Sequence, residues 1–289
     1  MTIAQALAVG VLRLRSPQAA PEVRSEARLD AQILLEEVLE SDAARILAHG
    51  DEELDRDLLD VFGLLLTERM RGVPVAYLTH KAGFYGREFY VDENVLVPRP
   101  ESEDVIEAAL ADLRPRGAQA RALDVGTGSG ALAITLAAEL PELHVTATEI
   151  SPPALAVARR NARALGVAER VTFLETDLAD GTGGTFACVV ANLPYVPSAE
   201  VPQPPHPVGF EPRIAVDGGP DGLSVYRRLL SQLPAVLEPG AALFFEAAPN
   251  TIAPLAELVA TTFPSAAVEI GTARTDLERY VAVTLATAA

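Results

Sequence analysis

Residues 120–149, ARALDVGTGSGALAITLAAELPELHVTATE, decide the fold. Ala120 to Val125 is a short apolar run of strand length, Ala131 to Leu140 is apolar at helical length, and His144 to Thr148 is a second strand of small and β-branched residues. Gly126-Thr127-Gly128-Ser129-Gly130 lies between the first strand and the helix. Strand, turn, helix and strand in this order form a βαβ unit, whose two strands run parallel because a crossover of this length returns the chain to the same end of the sheet. Glycines at such a turn let the backbone approach a ligand, and the following helix N-terminus can receive an anionic group. The turn alone leaves a plain tight turn, a dinucleotide-binding turn and other nucleoside-binding turns open.

The alternation continues outward from this unit. A helix is predicted before it, Ser102 to Leu113, and a helix after it, Pro153 to Leu165. Further strands are predicted at Arg170 to Leu174, Phe186 to Ala191 and Ala241 to Glu246, with a last pair near Ala267 to Ile270 and Tyr280 to Thr284. This is a parallel sheet with helices on both faces, and the carboxyl ends of its strands border one crevice. Glu149 ends the second strand, where a carboxylate can accept hydrogen bonds from both hydroxyls of a ribose, and Asp177 follows the third, where it can meet an adenine amine. Either acid alone is more often a solvated loop residue. Together with the glycine turn they converge on a nucleoside.

The strand Phe186 to Ala191 delivers Asn192-Leu193-Pro194-Tyr195 to the same edge. An amide or aryl-amine nitrogen is a poor nucleophile because its lone pair is delocalised, so a site that uses one needs acceptors on its N–H groups. The Asn192 side-chain oxygen and the Leu193 carbonyl are candidates, stabilising the positive charge that develops on nitrogen, and Tyr195 is a candidate to stack on the planar group. No strong general base is required, so His80 and His206 are read as ordinary surface or loop residues. The bland alternative is a strand end followed by a proline turn.

Toward the N-terminus, apolar residues from Ile3 to about Arg71 recur at helical spacing and predict a small bundle. Phe84 to Val97, with Gly86 and Asp92-Glu93-Asn94 as turn residues, predicts a β-hairpin joining two domains. The expected organisation is a helical domain over 1–80, a hairpin linker over 81–100 and a catalytic domain over 101–289. The stretch Val196 to Pro220 lacks either periodicity, and a loop that long is usually functional.

The 289 residues carry 23 Lys and Arg against 40 Asp and Glu, a formal charge of −17 that disfavours nucleic acid as a direct partner. One cysteine, Cys188, excludes an internal disulfide and a multi-cysteine zinc site, which fits a cytoplasmic protein. Met1 to Arg15 lacks the order of a signal peptide, and the longest charge-free stretch, Gly181 to Ala199, is too rich in Gly and Pro for a membrane span. No membrane association and no metal are expected.

Asn192-Leu193-Pro194-Tyr195 resembles the (Asn or Asp)-Pro-Pro-Tyr motif of enzymes that methylate exocyclic or amide nitrogens, and Asn161 to Asp177 resembles the corresponding segment of class I S-adenosylmethionine methyltransferases. ARLDAQILLEEVL (27–39), PVAYLTHKAGFYGREFYVDENVLVPRPESE (74–103) and FEPRIAVDGGPDGLSVYRRLL (210–230) extend the likeness over nearly the whole chain. With these segments the chain is similar to the HemK/PrmC-type protein-(glutamine-N5) methyltransferases. The resemblance implies a Rossmann-like, seven-stranded, mostly parallel sheet and S-adenosylmethionine as cofactor. It also implies the glutamine of the Gly-Gly-Gln motif of class I peptide-chain release factors as acceptor. It places Gly126, Thr127, Gly128, Ser129, Gly130, Glu149, Leu178 and Asn192 on the cofactor, and Asn192 to Tyr195 on the glutamine. Leu193 stands where the motif has proline, which retains the carbonyl but loses a fixed φ. Pro98-Arg99-Pro100-Glu101 is similar to a family signature beside the active site and reads equally well as a rigid entry to the next helix. Two other acceptors share this chemistry, a ribosomal-protein glutamine and, at greater distance, a nucleic-acid adenine.

Overall fold

The computed structural model describes residues 1–117, 120–272 and 278–287. The chain divides into two compact units, one of residues 1–81 with 202–211, the other of residues 82–201 with 212–289.

The first unit holds α1 (Ile3–Leu14), α2 (Pro21–Val38), α3 (Ala43–Ala48), α4 (Arg56–Met70) and α5 (Val75–Thr79). Thr2 and Gln5 form a reciprocal capping box at the start of α1, satisfying amides that the first turn leaves free. Leu14, Val23, Leu34, Leu35, Phe62 and Leu66 form part of its core, on helices within the bundle that the sequence predicts. Arg69 of α4 donates from Nε to the Asp30 carboxylate of α2 at 2.7 Å, both side chains being buried. Residues 202–211 complete this unit: Gly72 has φ +101°, and a Cβ there would lie 1.9 Å from the Pro205 carbonyl oxygen.

β1 (Lys81–Phe84), which starts at the last residue of the first unit's opening stretch, and β2 (Arg87–Tyr90) pair as a two-stranded sheet. Tyr85 and Gly86 between them both have positive φ, the backbone of a tight two-residue turn. The hairpin therefore starts earlier and is shorter than predicted, and Val91 to Val97 forms no strand. The apolar residues that suggested a strand there serve packing instead, with Val91 and Val95 buried. From Ala82 onward the hairpin belongs to the second unit rather than forming a separate linker. Phe84 and Phe89 pack edge to face, 6.1 Å between centroids, within that unit's core.

Next come α6 (Ser102–Leu113), β3 (Arg121–Val125), α7 (Ala131–Glu139), β4 (His144–Glu149), α8 (Pro152–Ala164), β5 (Val171–Glu175), β6 (Phe186–Ala191), α9 (Ser224–Gln232), β7 (Leu237–Glu246), α10 (Ile252–Thr262), β8 (Ala267–Thr272) and β9 (Glu278–Thr284). The seven-stranded sheet has the order β5-β4-β3-β6-β7-β9-β8. Neighbours from β5 to β7 are parallel, and β9 runs antiparallel to both β7 and β8. Every residue of β6 is buried, as expected of a central strand covered on both faces. The chain builds outward from β3 through β4 to β5, then returns to place β6 on the other side of β3. That reversal opens a crevice at the carboxyl ends of β3 and β6, the position at which doubly wound sheets bind ligands. Among the described residues no helix is long and apolar enough to cross a membrane.

Candidate active site

A cleft open to solvent lies at these strand ends within the second unit. Gly126, Thr127, Gly128, Ser129, Glu149, Asp177, Leu178, Asn192, Leu193 and Pro194 line it; Gly130 and Tyr195 do not.

The turn after β3 is shaped by Asp124. Its buried carboxylate accepts from the Thr127 hydroxyl at 2.6 Å and from the Ala133 amide at 3.1 Å, tying the turn to the first residues of α7. Burial pushes this carboxyl up to about 7, against the opposing effect of those two bonds, and its Oδ1 has no partner among the described residues. Gly128 has φ +54°, and a Cβ there would meet nothing within 4 Å, so the space beside this stretch of backbone is open. Gly130, at φ +85°, is the residue before α7, and a Cβ there would lie 2.6 Å from Ile134 Cδ1.

Glu149 is pinned by three backbone amides. Its Oε2 accepts from Gly128 at 3.0 Å, and its Oε1 accepts from Ile150 at 2.9 Å and Ser151 at 3.0 Å. A carboxylate offers roughly four acceptor sites, so one on Oε2 is left for a hydroxyl in the cleft. Asp177 forms an ion pair with Arg228 of α9, and both line the cleft. Leu178 is buried at φ +58°, a conformation costing about 1–2 kcal/mol for an L-residue, and is held by the bond from Ala179 N–H to Gln232 Oε1 at 2.8 Å. Strain of this kind, sustained by its surroundings, is characteristic of binding sites.

At the end of β6 the Asn192 side-chain NH2 donates to Ser102 Oγ at 3.0 Å. Leu193 is buried against the glycine turn, where a Cβ on Gly126 would come within 2.8 Å of its Cδ2. Its N–H donates to the Tyr226 hydroxyl oxygen at 3.3 Å. The Tyr195 hydroxyl points to Glu246 Oε1 at 3.4 Å, and the half-buried ring expected to stack on substrate packs against the unit's core and does not line the cleft. Burial beside the Glu246 charge raises the Tyr195 phenol above its ordinary value. Burial likewise pushes the Glu246 carboxyl up to about 7, against its bond from Ser102.

Ser102, Tyr226, Arg228 and Glu246 were not picked out from the sequence as site residues. Glu246 carried a usable signal, since it ends a buried strand as Glu149 does. Tyr226 carried none.

The cleft suits S-adenosylmethionine. An open stretch of backbone lies beside a helix N-terminus, a pinned carboxylate retains one acceptor site, and Leu178 and Ile150 supply apolar walls. The Methyltransferase small domain family matches residues 104–203, and the PrmC N-terminal domain family matches residues 6–79. The release factor glutamine methyltransferase of Moorella thermoacetica is 44% identical over 247 residues, covering 85% of each chain. The chain belongs to the release factor glutamine methyltransferase family. Its counterpart from Chlorobaculum tepidum is 41% identical over 82% of this chain and 84% of that one. A methyltransferase structure from Pyrococcus furiosus shares the fold, with a TM-score of 0.51 and 19% identity over 71% of this chain and 92% of that one. This release factor glutamine methyltransferase family member is accordingly an enzyme with S-adenosylmethionine as its methyl donor.

Proposed function

We propose that this enzyme methylates the side-chain amide nitrogen of a protein glutamine, that of the Gly-Gly-Gln motif of class I peptide-chain release factors. The observation that carries the reading is the orientation of Asn192. Its NH2 is engaged by Ser102, so of the two ends of this amide, in a cleft that Asn192 lines, the oxygen is the one available as an acceptor. The Leu193 carbonyl on the same turn is the second acceptor. Two acceptors on the two N–H bonds of a glutamine amide fix its plane and offset the positive charge that grows on nitrogen. S-adenosylmethionine supplies an electrophilic methyl group carried on a sulfonium. That methyl group would pass to the nitrogen held by Asn192 and Leu193, leaving the sulfur as a neutral thioether, and the nitrogen would lose a proton. Gly126 to Ser129 and Glu149 would hold the cofactor, with Asp177 and Leu178 lining the same cleft toward its adenine.

The release-factor substrate is supported by the match of residues 6–79 to the PrmC N-terminal domain and by the names of the relatives. We assign the first unit to recognition of the substrate protein. A direct nucleic-acid partner is disfavoured by the charge of −17, and the cytoplasm, where release factors act, is the proposed location. Asn192→Ala is expected to keep cofactor affinity, measured by calorimetry, and to lower turnover on an unmethylated release factor by about 100-fold or more. Undiminished turnover in that variant would refute the mechanism.

A further inference from the structure

We infer that Glu246 is a positioning residue for methyl transfer: through Ser102 and Tyr195 its buried carboxylate sets the direction of the Asn192 amide and anchors both ends of the Asn192–Tyr195 turn. Glu246 ends β7, two strands across from β3, and is 2% exposed. It does not line the cleft and touches neither proposed ligand. Its Oε2 accepts from the Ser102 hydroxyl at 2.5 Å, and Ser102 Oγ accepts from Asn192 Nδ2 at 3.0 Å. Its Oε1 accepts from the Tyr195 hydroxyl at 3.4 Å. Its backbone carbonyl accepts from the Tyr226 hydroxyl, whose oxygen receives the Leu193 N–H at 3.3 Å. Three of the four residues of the turn are thus referred to one residue on the neighbouring strand.

With Glu246 ionised, the polarity of this chain of bonds has one solution. An ionised carboxylate only accepts, and a serine hydroxyl has a single hydrogen, so the Ser102 hydrogen is committed to Glu246. Ser102 can then offer Asn192 only a lone pair. The Asn192 amide must answer with its NH2, which leaves Oδ1 toward the cleft. Reversed, the same amide would point donors at the donors of a glutamine NH2. A carboxamide at 246 removes this constraint, because it can donate to Ser102 and let the serine hydrogen turn to Asn192 Oδ1. A buried carboxylate is costly unless its acceptors are met, and here two are met by hydroxyls leading to the same turn.

This inference rests on the reading of Asn192 as acceptor for the glutamine amide, and the experiment separates the two. Full-length wild type, Glu246→Gln, Ser102→Ala, Ser102→Thr and Asn192→Ala are compared for kcat and KM on unmethylated release factor, for S-adenosylmethionine affinity by calorimetry and for melting temperature. Glu246→Gln and Ser102→Ala are expected to lower kcat by about 10- to 100-fold, with KM and cofactor affinity little changed. Ser102→Thr, which restores the hydroxyl, recovers most of the rate, and Ser102→Ala adds no further loss in an Asn192→Ala background. Wild-type kcat in Ser102→Ala and Glu246→Gln, with turnover lost in Asn192→Ala, overturns the role of Glu246 alone. Wild-type turnover in Asn192→Ala overturns the acceptor reading itself. A loss of cofactor affinity that matches the loss of rate also overturns the inference, since it would place these residues on the cofactor. Should Glu246→Gln fail to fold, Ser102→Ala, which deletes one oxygen, decides the matter.

Discussion

Leucine at 193 changes what aims the carbonyl proposed as the second acceptor. A proline would fix φ but offer no N–H, whereas Leu193 uses its N–H to bond Tyr226 and its side chain to pack on the glycine turn. The stiffness of one ring is replaced by a bond and a contact. Tyr226 packs on Phe245, 5.7 Å between ring centroids, so Tyr226→Phe keeps the packing and deletes only the bridging hydroxyl. That variant should lose about 1–3 kcal/mol in denaturant unfolding, and turnover should fall while cofactor affinity holds. Asp124 makes a prediction in pH. Its carboxyl is raised from 3.8 in the unfolded chain to about 7 when buried. The folded protein therefore binds a proton that the unfolded chain has released, a contribution complete below about 3.8 and lost as pH rises through about 7. Melting temperature should decline from about pH 4 to about pH 7, and Asp124→Asn should remove the part of that decline due to Asp124, leaving the part due to Glu246, which is likewise raised to about 7. The glycine turn, Glu149 and Asn192 were legible in the sequence because each sits at the end of a recognisable strand. Ser102 and Tyr226 were not, since their partners lie 144 and 90 residues away for Ser102 and 33, 35 and 20 away for Tyr226. Bonds across such separations leave no local pattern.

At the scale of elements, the strands of the parallel sheet were legible because buried runs of small and β-branched residues were separated by turns. β3, β4 and β6 fall within a residue of their predicted bounds. The hairpin was legible only in part: clustered aromatics and valines signalled burial, and a short strand and a packed loop show the same composition. The segment after Tyr195 was legible as irregular but not in its allegiance. About a quarter of the way along it the chain leaves the second unit, and residues 202–211 pack as part of the first. Gly72 is where that packing is tightest, its backbone at φ +101° against the Pro205 carbonyl. Gly72→Ala is expected to cost about 3 kcal/mol, because the methyl group meets backbone rather than a side chain that can turn aside. Limited proteolysis should then cut first within 202–211, and calorimetric melting should show the first unit lowered more than the second.

For the whole molecule, the excess of 40 acidic over 23 basic side chains sets how it meets other macromolecules. A release-factor domain that works against ribosomal RNA is expected to be basic, so the two should attract at a distance. Association rates measured by stopped flow should fall as salt is raised from about 0.05 to about 0.5 M, with dissociation much less affected. A salt-independent on-rate would remove steering from the account. The division into two units has a consequence in time. Translation delivers residues in order, yet the first unit lacks residues 202–211 until most of the second has been made. At roughly 5–20 residues per second, the helices wait on the order of ten seconds for their last segment. During that interval Gly72 faces no Pro205, and β3 to β6 emerge beside an unfinished neighbour. The helical unit is begun first and finished late, so a ribosome stalled before residue 211 would hold an incomplete N-terminal domain.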